Sequence, residues 1–233
     1  QKIYQRLTGT LLLRRSHIDL QGTLNSGTAT TTLIVTNGKT MGLGDATCGS
    51  TCGMLISGSE LENITAANLI IGDSTVGDIF VDNITAANSN KISGITTLNA
   101  SKSTSAVTFL TNSSTFNALT VNSGQEIAVN ALLTTDTAGL TLNAGAAITQ
   151  SAALSVAGTS SFQVTGTDAL TLTNTSNDFT GAVELSSGTG AVQLTDANAL
   201  TLAASSLGGT LTIAGGTITQ TGALSVTGTS SFT

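Results

Sequence analysis

Sulfur and imidazole chemistry is confined to one short stretch of this chain, where His17 is the only histidine and Cys48 and Cys52 are the only cysteines. Two thiolates and one imidazole fall short of the four ligands that a structural zinc site takes. The C-G-S-T-C spacing is also wrong for a C-x-x-C redox pair. That leaves a disulfide or two free thiols. The three intervening residues include Gly49 and can bend enough to bring the two Cα atoms within bridging distance.

The carboxylates offer little more. G-L-G-D-A-T from Gly42 and I-G-D-S-T-V-G-D from Ile71 are similar to calcium-binding turns, which makes calcium the one cofactor left open. Neither stretch has the nonapeptide spacing that places aspartates on successive turns, so Asp73 and Asp78 are expected to bond nearby backbone. Beyond Lys102 the acids are Glu126, Asp136, Asp168, Asp178, Glu184 and Asp196, far apart in sequence and without a partner base. Only a meeting of two of them on adjacent turns of the fold would supply a carboxylate pair. Tyr4 and six phenylalanines leave little on which a sugar ring could stack. The inventory points away from an enzyme.

Asn63, Asn83, Asn99, Asn112 and Asn174 each begin an N-x-S/T triplet, a pattern that arises readily by chance in a chain so rich in these residues. They read as surface turns, or as members of stacked amide ladders. Thr171-Leu-Thr173 raises the possibility of an ice-binding threonine face, but the rows are not kept, and threonine is an ordinary outward-facing strand residue.

The elements that must carry these residues are short strands. Of 233 residues 39% are hydrophobic and only 9% charged, so the chain is too apolar, and with net charge -6 too weakly charged, to stay disordered. There is no proline, against a usual share of about 5%. Abundant β-branched residues and few Lys, Arg or Glu disfavour helices. The seven basic residues, Lys2, Arg6, Arg14, Arg15, Lys39, Lys91 and Lys102, form no stripe, and the pI is about 4.4. Nucleic acid and anionic lipid are therefore not expected partners. No apolar run reaches the ~18 residues of a membrane-spanning helix. Gln1 is not a start methionine and the first residues do not have the basic, apolar and small-residue pattern of an export leader, so Gln1 reads as a processing site or a boundary.

Apolar residues come in pairs two apart: Leu140 and Leu142, Leu154 and Val156, Phe162 and Val164, Leu170 and Leu172, Val183 and Leu185, Val192 and Leu194, Leu200 and Leu202, Leu211 and Ile213, Leu224 and Val226. Such spacing puts both side chains on one face of a strand. Of these, Leu140, Leu142, Leu154, Val156, Phe162, Val164, Leu170, Leu172, Leu200, Leu202, Leu224 and Val226, with Phe232, are the expected core stack.

Repetition selects the architecture. I-T-Q-S-A-A-L-S-V-A-G-T-S-S-F at 148–162 returns at 218–232 with 12 of 15 positions identical, an offset of 70. Read as three coils of a three-sided β-helix, that offset returns each residue to the same face. N-I-T-A-A-N at Asn63 and Asn83, an offset of 20, reads as one coil. The expectation is all-β: a single elongated domain over 1–233, about ten coils of 20–25 residues with three short strands each, and a rod roughly 50 Å long. Residues 1–102 should be less regular, with longer loops, and 103–233 regular. The second copy stops at Thr233 without a capping turn, which suggests a piece of a longer chain or an end covered by another copy.

M-G-L-G-D-A-T at 41–47, S-E-L-E-N-I-T-A-A-N-L-I-I-G-D-S-T-V-G-D-I-F-V-D-N-I-T at 59–85 and the block at 218–232 resemble repeat arrays of giant bacterial surface proteins related to filamentous haemagglutinin. The resemblance runs from about Thr8 to the end. It implies a right-handed parallel β-helix in an extracellular or cell-surface adhesin or fibre. The expected partners are a second copy, through head-to-tail stacking of uncapped ends, or the rest of a larger chain, with surface carbohydrate as a further candidate. The family's N-terminal secretion region with NPNG and NPNL motifs has no counterpart, which leaves the export route open and suggests an interior or C-terminal piece. Export would favour the Cys48–Cys52 disulfide over free thiols.

Overall fold

The computed structural model describes residues 5–6, 10–16, 18–49 and 52–233. Lys2, Tyr4 and His17 lie outside them, as do Ser50 and Thr51 of the cysteine loop.

Strands of two to six residues wind into a parallel β-solenoid of about ten turns. Every strand pairing is parallel, as it must be when successive coils climb in one direction. One side is a twelve-stranded sheet running through Leu11–Arg15, Thr96–Ala100, Leu119–Ser123, Leu140–Ala144, Ser160–Val164 and Val183–Ser187. A ten-stranded sheet holds Thr40–Gly44, Val107–Phe109, Ile148–Gln150, Val192–Thr195 and Ser230–Phe232 among others. The third side is interrupted, with a three-stranded and a four-stranded sheet.

The apolar pairs face inward. Leu140, Leu142, Leu154, Val156, Phe162, Val164, Leu170, Leu172, Leu200 and Leu202 are all no more than 1% exposed. They stack in register, Leu119 on Leu140 and Leu142 on Phe162, in one cluster that runs from Ile18 to Ile213. Phe162 and Phe179 meet edge to face with centroids 5.6 Å apart. Leu224 and Val226 are only half-buried and Phe232 is 46% exposed. These three depart from the expected core because they sit on the last coil, whose strands pair only with the coil below.

Coil length varies more than expected. Thr31 pairs with Leu69 and Leu69 with Thr96, steps of 38 and 27 residues, whereas Leu140 pairs with Ser160 and Val192 with Leu211, steps of 20 and 19. The long coils carry two short helices, Gly58–Glu62 and Ala86–Ser89, each opened by a capping box: Ser57 with Glu60, Thr85 with Asn88. The helices displace the N-I-T-A-A-N echo. Asn63 is the C-cap of the first helix while Asn83 precedes the second, so the two copies occupy different places in the coil.

The 70-residue repeat also changes face. Ile148–Gln150 lies in the ten-stranded sheet, Leu154–Val156 in the four-stranded and Ser160–Val164 in the twelve-stranded. In the second copy Ile218–Gln220 and Leu224–Val226 extend the twelve-stranded sheet and Ser230–Phe232 the ten-stranded. Ten strands separate the copies, so the offset is three and one third coils. The repeating unit is one side and its turn; nearly the same sequence serves on any side.

Where the coil turns between the two large sheets, glycines stack in a column: Gly124, Gly145, Gly166, Gly188 and Gly208. A Cβ on Gly145 would lie 2.3 Å from the Gly124 carbonyl oxygen, and one on Gly188 2.1 Å from that of Gly166. Backbone on backbone at one strand spacing leaves no room for a side chain there.

Leu154→Asp places a carboxylate in the dry column and should cost about 4 kcal/mol or more. Leu224→Asp, on the half-buried last coil, should cost less than half as much. Thermal unfolding followed by circular dichroism checks both; equal effects would contradict the burial gradient.

Candidate functional site

The loop between the paired strands Thr40–Gly44 and Cys52–Ile56 must run back along a strand's length, and a Cys48–Cys52 disulfide ties it, with Cα atoms 4.9 Å apart. Gly42 makes space beside it: a Cβ there would meet Cys48 Sγ at 3.1 Å and a Leu55 methyl at 2.9 Å. Cross-linking restricts the unfolded loop, which is a structural role.

The acids mostly bind backbone. Asp73 accepts from the Thr75 amide and hydroxyl, both at 2.7 Å, and from Arg14 Nη2 at 3.1 Å. Burial alone would raise its carboxyl, but these bonds and the Arg14 charge outweigh that and hold it below the usual range. Asp78 accepts from the Ala106 amide, Asp82 from the amides of Thr111 and Asn112, and Glu60 from those of Leu20 and Ser57. Among the described residues no three His, Cys, Asp or Glu side chains gather as a metal site would require. No helix among them is long and apolar enough to cross a membrane.

Of the later acids, Glu126 accepts from the Thr149 hydroxyl and Asp136 from that of Thr137. Asp178 and Asp196 are brought near one another on successive coils, with Asn198 Nδ2 donating to Asp178. Asp196 is only 3% exposed, and its Oδ1 accepts from the amides of Phe179 and Asn198. Desolvation raises its carboxyl, the Asp178 charge adds to the rise, and Oδ2 finds no protein partner. A side chain so enclosed braces a corner and does not reach a substrate.

The outward face of the twelve-stranded sheet carries the most organised polar surface. Asn99, Asn122, Asn143, Gln163 and Ser186 stand in register on five coils. Beside them runs the row Thr97, Thr120, Thr141, Ser161 and Glu184, whose threonines give way after three coils. Asn143 Nδ2 donates to Asn122 Oδ1 at 2.9 Å, one rung of an amide ladder, whereas Asn99 Oδ1 has no protein partner. The row borders an open groove of about 350 Å³ at the glycine corner, lined also by Ser101, Gly145 and Thr165. Its lining holds neutral donors and acceptors and no titratable group, so it can bind by hydrogen bonding but cannot supply general acid–base catalysis.

Of the five N-x-S/T asparagines only Asn99 belongs to this row. Asn63 donates to the Leu20 carbonyl, Asn83 to Asp45, Asn112 to Asp82 and Asn174 to the Ser151 carbonyl, all at corners. The row was visible as T-L-N-A at Thr97, T-V-N-S at Thr120 and T-L-N-A at Thr141, steps of 23 and 21 residues. Asn177, wholly buried, went unnoticed: it exchanges two hydrogen bonds with Gln150, at 2.8 and 2.9 Å, and accepts from the Leu154 amide.

Residues 116–186 and 189–233, just under half of the chain, match a family described as repeats of unknown function, DUF5649. No curated protein and no solved structure matches the chain. The chain is thus a β-solenoid repeat protein that carries these repeats.

A carboxyl raised on folding favours the fold while protonated and costs stability as pH climbs through its folded-state value. Asp196→Asn should therefore gain thermal stability relative to the parent as pH rises from 3 to 7, the ordinary carboxyl lying at 3.8. A melting-temperature difference independent of pH would contradict this assignment.

Proposed function

We propose that this solenoid is a structural element of an extracellular fibre, acting as a subunit that adds length and stiffness through end-to-end stacking of coils. One observation carries the reading. Coil stacks on coil in register around one apolar column that runs from Ile18 to Ile213, so each coil offers the next a parallel strand edge of the same kind. An unpaired strand edge is a template for another strand. A head-to-tail contact that does not close on itself builds a filament. A disulfide in the cysteine loop supports an oxidising, extracellular location. The acids spent on backbone amides, and the absence of titratable groups from the amide groove, support a non-catalytic role.

A second reading has one observation in its favour. The groove beside Asn99, Asn122 and Asn143 offers neutral hydrogen-bonding groups of the kind that meet sugar hydroxyls. It supports a stalk or binding module of a large surface adhesin that contacts carbohydrate.

Electron microscopy of native material, with intact mass from the same sample, separates the two. Filaments of rods joined end to end, with a subunit mass little beyond that of the solenoid, are expected for the fibre. Isolated rods belonging to a much heavier polypeptide would overturn it in favour of the stalk.

A further inference from the structure

Charge is spread unevenly along the rod. All seven basic residues lie within 1–102, among seven acids, whereas 103–233 holds six acids and no base. Of the five basic side chains that the structure describes, four stand at or beside one corner, where the coil leaves the twelve-stranded sheet for the ten-stranded one: Arg14, Arg15, Lys39 and Lys102. Glu126 and Asp168 lie at the same corner on later coils, and Glu184 faces outward on the adjoining strand Val183–Ser187. All seven side chains are exposed. Arg14 is paired with Asp73, the one ion pair among the described residues, which leaves the other six without an oppositely charged partner.

The heights of these charges follow a two-fold pattern. Eight successive strands of the twelve-stranded sheet are Leu11–Arg15, Thr30–Val35, Asn68–Gly72, Thr96–Ala100, Leu119–Ser123, Leu140–Ala144, Ser160–Val164 and Val183–Ser187. Counted by these coils, Arg14 and Arg15 are on the first, Lys39 on the second, Lys102 on the fourth, Glu126 on the fifth, Asp168 on the seventh and Glu184 on the eighth. Turning the series end for end about the gap between the fourth and fifth coils sets Lys102 opposite Glu126, Lys39 opposite Asp168 and the two arginines opposite Glu184. Asp73 and Asp78, on the third coil, are spent on Arg14 and the Ala106 amide, and they fall opposite the uncharged turn 145–147 of the sixth. The corner also allows close approach, because Lys102 lies beneath Gly124 at the foot of the glycine column.

We propose that this corner, with the adjoining outward face of the twelve-stranded sheet, is the surface on which a second copy of the chain docks side by side and antiparallel. A two-fold axis lying across the rod, between Thr96–Ala100 and Leu119–Ser123, relates the copies, so every match of base with acid occurs twice. A parallel pair in the same register would set each charge against itself, which opposes association. Exposed ion pairs are individually weak and are screened by salt, so the dimer is weak, forms at low ionic strength and dissociates at high. The amide rows then face each other, with Asn99 of one copy at the level of Asn122 in the other, and the amide groove is covered. The proposal concerns the side of the rod and not its ends, so it stands apart from the fibre reading.

Sedimentation equilibrium at low and high salt, with small-angle scattering of the same samples, tests it. The expected result is a dimer at low salt whose mass doubles while the rod's length stays nearly constant, and its loss at high salt. Lys39→Glu or Asp168→Lys alone should weaken the dimer about tenfold or more, since the two-fold axis turns each reversal into two repulsive contacts. Both changes in one chain should restore the affinity to within about threefold, because the swap rebuilds the same contacts with their signs exchanged. Lys39 and Asp168 are exposed, and circular dichroism melting checks that every variant keeps the parent's fold. Single reversals that weaken the dimer without rescue by the double swap would overturn the proposal. So would a protein that stays monomeric at low salt up to about 0.1 mM. Association that lengthens the rod would also overturn it, and would assign the contact to the ends, as the fibre reading has it.

Discussion

The structure depends on one constraint: in a parallel solenoid the backbone donors and acceptors of each coil lie along the axis, and only the next coil can meet them. A buried amide left unpaired costs on the order of 1–3 kcal/mol. Each coil is therefore stable chiefly through its neighbours, and stability is a sum of nearest-neighbour interfaces. The alternating strands follow from this. Leu, Ile, Val and Phe fill the interior one above another, while Thr, Asn and Ser face outward in rows.

The same spacing governs the corners. Coils that climb by one strand separation, about 4.8 Å, bring turn on turn, and a side chain at the tightest points would strike the carbonyl below. Glycine fills that column for reasons of close approach. Elsewhere the corners are closed by short polar side chains, such as Asp82 binding the amides of Thr111 and Asn112, or Asn177 binding Leu154 and Gln150. These acids and amides look like candidate chemistry in a sequence. In the fold they are occupied.

What the sequence made legible follows from local pattern. Leu140 and Leu142, or Leu170 and Leu172, declare a half-buried strand through spacing alone, and they are buried as expected. Position around the coil is not local. Ile148 and Ile218 have nearly the same neighbours in sequence yet lie in different sheets, because turn lengths between them add up to ten sides and not nine or twelve. For the same reason the N-I-T-A-A-N echo misled: two helical turns lengthened the coil around it. The amide row was legible only once Thr97, Thr120 and Thr141 were aligned coil on coil. The burial of Leu224, Val226 and Phe232 depends on what lies above them, which their own sequence does not state.

The stacking register itself is the claim to test, and the distance between nitroxide labels at Thr97 and Glu184 tests it most directly. The two positions are 87 residues apart in sequence and stand in one outward row, four coils apart. Four parallel strand spacings predict a narrow backbone separation of roughly 19 Å along the rod, to which the label tethers add a calculable spread. A narrow distribution centred there supports the coil-on-coil register. A separation beyond about 30 Å, or a broad distribution, would contradict the register on which the account rests.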